Sequence, residues 1–218
     1  MGFLEGFFGD TSFGPVTIAV FAALGFLSVI SLSVALFKWI QFMRLGVGKR
    51  RRAEEILDTW LSGQWDEAMR MTAKRRSVLS RILQAVFSGV RARPGDSNYA
   101  EELGRQTAII ELATMTDRLR TLEMVVQAAP MLGLLGTVIG MIDAFSALSE
   151  AQGAVDPSTL AGGIWTALTT TALGLAIALL TYFVATWFEA RIDRERNLIE
   201  TVISAAVHGR LDPSAQAR

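Results

Sequence analysis

Apolar residues gather in this chain into three long runs, with polar stretches of different periodicity between them. The runs at 15–37, 124–148 and 160–188 each reach or exceed the ~20 residues needed to cross a bilayer core of ~30 Å at ~1.5 Å per residue. Between the first and second runs, apolar positions recur instead at three- and four-residue steps: Ile56, Leu57, Trp60 and Leu61, then Leu79, Ile82, Leu83 and Val86. That spacing predicts short amphipathic helices. Gly63 is expected to divide them, RPGDSN at 93–98 to form a turn, and Ser97 or Asn98 to cap the helix that follows. From Tyr99 to Ala129 the pattern through Leu103, Ile110, Ala113, Leu119, Leu122 and Val126 contains no evident breaker. It predicts one helix projecting about 40 Å before it enters the second span.

Charge distribution orients these elements. No Lys or Arg occurs from Met1 to Phe37 or from Met124 to Ala190, whereas 16 of the 21 basic residues lie in 38–123. Lys38, Arg44 and the run KRRR at 49–52 follow the first span directly, Arg191, Arg194 and Arg196 follow the third, and 149–159 has two acids and no base. Because cations are retained on the cytoplasmic side, the expected topology is a periplasmic N-terminus (1–14), a first transmembrane helix (15–37) and a cytoplasmic helical loop and stalk (38–123). A second transmembrane helix (124–148), a periplasmic hairpin (149–159), a third transmembrane helix (160–188) and a cytoplasmic tail (189–218) complete it. The first run lacks a basic n-region and is too long for a secretory h-region, so it is expected to remain as an anchor. The fold class is thus an all-α membrane protein with three transmembrane helices and a long cytoplasmic stalk.

Composition supports that class and narrows the chemistry. Apolar residues make up 51% of the chain and the mean hydropathy is +0.36, too oily for an ordinary soluble domain. There is no Cys and a single His, His208 in the polar tail, so disulfides, thiolate metal sites and Cys-His catalysis are excluded. No cofactor and no catalytic residue is predicted. The run KRR at 74–76 sits among interleaved acids, which favours a solvated or headgroup-facing surface over nucleic acid.

Two features of the spans invite a functional reading. Gly133, Gly136 and Gly140 recur at steps of three and four, and Gly162, Gly163 and Gly174 give the third span a similar character. Such faces allow close helix contact in lipid, where no hydrophobic drive separates helix from solvent. Among these glycines lie hydroxyls: Thr137 in the second span, and Thr166, Thr169, Thr170, Thr171 and Thr181 in the third, with Thr166, Thr170 and Gly174 on one face. Each hydroxyl could bond a carbonyl of its own helix three or four residues back. As a cluster, they could also form a polar lining able to donate and accept, as a water-assisted proton path requires. Asp143 is the one carboxylate inside a span, ~7 to 8 Å from the outer end of its helix, placed either to admit protons or contact a partner or simply to reach water at the rim.

The stretches AAPMLGLLGTVIGMIDAF at 128–145 and GGIWTALTTTALGL at 162–175 resemble the second- and third-span signatures of the ExbB/TolQ/MotA group of ion-driven stator subunits. The loop of about 86 residues is closer to ExbB or TolQ than to flagellar stators with four spans. The resemblance implies a bacterial inner-membrane protein whose copies, five in the family, form a ring. Within that ring an ExbD- or TolR-like single-span partner carries an essential Asp, and proton passage drives a TonB- or TolA-like protein. It implies that Thr137 and Thr171 are the pore threonines, with Thr170 and Thr166 beside them. Two departures stand out: the pattern EALxxTAxGL reads TALTTTALGL here, with Thr166 where a Glu is common, and Leu179 or Leu180 replaces a frequent Pro, so the third helix is expected to be straighter. A non-conducting structural scaffold is the alternative.

Overall fold

The computed structural model describes residues 14–45, 50–73, 77–150 and 157–209, and all its regular structure is helical. In chain order the helices are α1 (Pro15–Leu45), α2 (Arg50–Leu61), α3 (Trp65–Ala73), α4 (Val78–Ala92), α5 (Ser97–Thr116), α6 (Leu119–Glu150) and α7 (Pro157–His208). Three stretches, Pro15–Met43, Ser97–Ser149 and Leu160–His208, are long and apolar enough to cross a bilayer. The chain is a membrane protein. Residues 1–13, Lys49 of the KRRR run, the KRR run at 74–76, hairpin residues 151–156 and tail residues 210–218 lie outside the described residues.

The local punctuation follows backbone chemistry. Pro15 opens α1, where its missing N–H is no loss. Gly63 takes a positive φ of 84° between α2 and α3, a conformation only glycine adopts without a steric penalty. Asp96, one residue before the predicted candidates, caps α5 by accepting from the Tyr99 amide at 3.0 Å. Sequence reasoning missed a larger feature: the helix expected to run unbroken from Tyr99 to Ala129 stops at Thr116 and restarts at Leu119. Arg118 adopts φ 65° there, alone among the described non-glycine residues. No Gly or Pro marks the break. At Leu179 and Leu180 α7 continues without interruption, as the absence of a proline in that stretch leads one to expect.

Two compact units divide the chain, one comprising Met1–Ala35 with Arg118–Ala185, the other Leu36–Asp117 with Thr186–Arg218. In the first, Val20, Leu24, Ala129 and Ala178 form a buried cluster extended by Leu27, Leu132, Ile139 and Ile177. The contact between α6 and α7 is a seam of small residues. A Cβ placed on Gly133 would stand 2.9 Å from Thr171 Cα, one on Gly140 2.9 Å from Ala167 Cβ, one on Gly163 2.7 Å from Ala144 Cβ, and one on Gly174 2.5 Å from the Ala129 carbonyl oxygen. Backbones this close gain dispersion and leave no room for side chains. By contrast, Gly162 faces open space.

In the second unit α4 and α5 pack through Gly89 and Gly104, whose added Cβ atoms would meet Ala100 and Val86. Ile56, Leu57, Leu79, Ile82, Leu83, Val86 and Phe87 are buried, whereas Leu61 is not. Trp60 stacks on Phe87 with centroids 3.9 Å apart and donates its indole N–H to the Ala206 carbonyl at 3.1 Å. The inward face of α5 is Ala100, Gly104, Ala108, Glu111 and Met115, so Ile110, expected inside, is 66% exposed. Small residues hold the part of that face at Ala100 and Gly104, where α4 comes too close for larger ones. Lys38 is fully buried, and its Nζ donates to the Met115 carbonyl at 2.8 Å while Gln41 Nε2 donates to Thr114 at 3.1 Å. These side chains satisfy carbonyls in the last turn of α5 that lack a helical partner.

Candidate functional site

Three faces of α6 have three different neighbours. Gly133, Gly136, Gly140 and Ala144 meet α7. On a second side, the Asp143 carboxylate stands next to the start of α1: a Cβ placed on Gly14 would be 3.2 Å from Asp143 Oδ2. Gly14 carries the first carbonyl of α1, accepting from the Ile18 amide at 3.1 Å, so the acid lies at the positive end of a helix dipole. The third face is an open groove of about 700 Å³ lined by Thr137, Val138, Met141, Ile142, Phe145, Ser146 and Ser149. Asp143, about 240° around the helix from Thr137, is not part of it.

The threonines are held individually, and the seam decides how. Thr170 is fully buried. Its Oγ1 lies 2.7 Å from the Ala167 carbonyl oxygen and 3.2 Å from that of Gly133, so its one hydrogen is held more strongly by the nearer oxygen. Thr171 is half-buried and crosses between helices, donating to the Gly133 carbonyl at 2.8 Å. Thr137, also half-buried, donates to Leu134 of its own helix at 2.7 Å. In the regular helical ladder the amide of Thr137 pairs with the same Gly133 carbonyl, which puts Thr137 and Thr171 one turn apart around a single backbone oxygen. Gly133 makes this crossing possible, since a side chain there would push Thr171 away.

The remaining hydroxyls are more local. Thr169 and Thr181 bond carbonyls four residues back at 2.8 Å each, and Ser31 of α1 meets Thr181 Oγ1 at 2.8 Å. The Thr166 side chain, by contrast, makes no such bond to a carbonyl or hydroxyl of the described residues. The face predicted to unite Thr166, Thr170 and Gly174 is therefore a packing face around Thr170 and Gly174. Spacing alone does not separate Thr171 from Thr170; the family resemblance singled it out, and the structure shows that it is the one whose hydroxyl donates at 2.8 Å across to α6. Sequence reasoning also passed over Ser31, one of four hydroxyl residues in the first span with Thr17, Ser28 and Ser33, and used Lys38 only to orient the chain. Among the described residues no group of three His, Cys, Asp or Glu side chains could hold a metal ion.

Comparison with known proteins places this arrangement among relatives. Residues 74–201 match the MotA/TolQ/ExbB proton channel family. The chain is 37% identical over 137 residues to a putative biopolymer transport protein ExbB homolog of Methanothermobacter thermautotrophicus, an overlap of 62% of this chain and 47% of that protein. It is 31% identical over 156 residues to the biopolymer transport protein exbB1 of Vibrio cholerae, covering 70% and 65%, and 25% identical over 178 residues to the putative biopolymer transport protein ExbB-like 3 of Synechocystis, covering 81% and 83%. The chain thus spans from about half to two thirds of the length of the first two.

Proposed function

Since the chain belongs to the MotA/TolQ/ExbB proton channel family, we propose that it is an ExbB- or TolQ-like stator subunit of a bacterial inner membrane, with its N-terminus periplasmic and its C-terminus cytoplasmic. Several copies, five in the family pattern, form a ring. An ExbD- or TolR-like single-span protein seats its helix inside, and the proton-motive force reaches a TonB- or TolA-like protein. No covalent chemistry is assigned to the chain.

The observation that supports this reading is the half-buried pair Thr137 and Thr171, whose hydroxyls donate to the neighbouring Leu134 and Gly133 carbonyls, with Thr137 on an open apolar groove. A groove whose apolar side chains are edged by the hydroxyls of Thr137, Ser146 and Ser149 suits a mostly apolar helix that bears a polar group. Asp143 is the only carboxylate in the spans and stands near the start of α1, toward the outer end of its helix, so the group that carries a proton through the centre comes from the partner. Burying a carboxyl in lipid favours its neutral form, which lets it alternate between protonated and ionised states.

Reconstitution of the chain with its co-purified partner tests this directly. Thr137→Val and Thr171→Val are expected to lower proton flux by an order of magnitude or more, and Thr171→Ser to retain most of it. Unchanged flux in both Val variants would remove the polar lining. The scaffold reading is favoured by one observation, that the threonine hydroxyls of the seam bond the chain's own carbonyls. A partner-bound ring without wild-type flux would establish it.

A further inference from the structure

The interruption between α5 and α6 is built from bonds that copy those of an unbroken helix. In a continuous α-helix the Thr114 carbonyl would accept from the Arg118 amide and the Met115 carbonyl from the Leu119 amide. Here Gln41 Nε2 donates to the Thr114 carbonyl at 3.1 Å and Lys38 Nζ to that of Met115 at 2.8 Å. Two side chains three residues apart on α1 thus occupy the places of two backbone amides. The last helical bond before them runs from the Asp117 amide to the Ala113 carbonyl at 2.9 Å. The chain then resumes with a tighter turn, the Thr121 amide donating to the Arg118 carbonyl at 3.1 Å.

Neither the sequence nor the bonding commits this segment to the broken form. The stretch TMTDRLRTLEM at 114–124 holds no Gly or Pro, and seven of its eleven residues are Met, Arg, Leu or Glu, which are good helix formers. In the broken form Arg118 sits at φ 65°, a conformation unfavourable for an L-residue. Gln41 Oε1 is buried without a hydrogen-bond partner, and turning the amide over would only aim that oxygen at the Thr114 carbonyl. Against these stands the charge-assisted bond of the fully buried Lys38.

We infer that residues 114–119 form a two-state helix junction, in which Lys38 and Gln41 hold the interrupted form and their withdrawal lets α5 and α6 join into one helix. The inference goes beyond the stator reading and does not depend on it. In the joined form the amides of Arg118 and Leu119 take the two carbonyls, Arg118 returns to an ordinary helical φ, and Gln41 is released to satisfy its oxygen elsewhere. Each form therefore pairs both carbonyls, and the free-energy gap between them is small. A small gap is what lets a modest displacement of α1 shift the population.

Two histidines at i and i+4 share one face and chelate a metal ion only where the turn between them is helical. Thr116→His with Arg120→His, both at exposed positions, therefore reports the joined form in the full chain, with nickel as the probe. The apparent affinity follows the population of that form, so adding Lys38→Met or Gln41→Leu is expected to strengthen nickel binding about three- to tenfold. Arg118→Gly, which relieves the broken form, should weaken it, and Lys38→Arg, which keeps the cation, should retain most of the starting value. Variants with one of the two histidines subtract the contribution of His208. Hydrogen exchange of residues 112–124 in Lys38→Met separates joining from unravelling. Protection that holds or rises supports the two-state junction. Lost protection, or a nickel affinity indifferent to Lys38, Gln41 and Arg118, would overturn it and leave the break a fixed turn.

Discussion

At the scale of single residues, space and hydrogen-bond direction decide what each position tolerates. Gly174 and Gly162 have the same composition and opposite surroundings. A methyl on Gly174 would press on the Ala129 carbonyl at 2.5 Å, whereas one on Gly162 meets nothing within 4 Å. Gly174→Ala should cost about 1–3 kcal/mol through overpacking of the seam, and Gly162→Ala should be neutral or stabilising by up to about 1 kcal/mol through helix propensity. Thermal unfolding in detergent reads both, and equal shifts would contradict the seam. Lys38 is the other residue-scale case. Its Nζ reaches Met115 with no exposed surface, and Lys38→Met leaves a buried carbonyl short of a charge-assisted bond, a loss of about 1.5–3 kcal/mol.

At the scale of elements, the break between α5 and α6 is the feature that propensity does not foresee. Arg118 is held at φ 65°, a conformation that costs an L-residue roughly 1–2 kcal/mol and glycine far less. Arg118→Gly is expected to raise stability by up to about 1 kcal/mol, and the β-branched Arg118→Val to lower it, in the same unfolding measurement. Lys38 and Gln41 explain why the break is tolerated, since they take up the carbonyls of Met115 and Thr114 that a continuous helix would have paired internally.

At the scale of the whole molecule, the natural absence of cysteine makes topology directly measurable. A single Cys at Ser149, near the outer end of the second span, should label with a membrane-impermeant maleimide in cells whose outer membrane is permeable. One at the exposed Asn98 should label only after lysis. The reverse pattern would invert the proposed orientation. Particle imaging of the co-purified complex counts the copies and shows whether Thr137 faces the interior of the ring.

Three spans were legible in the sequence because a bilayer forces every backbone group to pair within its own helix, so length and hydropathy suffice. The glycine faces were legible for a related reason: close contact in lipid needs small residues at helical spacing. Equally readable was the threonine cluster as a group, along with Asp143 as an isolated acid. Tertiary structure alone decided which carbonyl takes each hydroxyl hydrogen, that Thr170 is enclosed while Thr171 crosses to Gly133, and that Asp143 meets the start of α1. It also decided that the helix is interrupted at Arg118, far from any Gly or Pro. Those outcomes depend on groups distant in sequence approaching within about 3 Å, a distance set by packing and invisible to any local pattern.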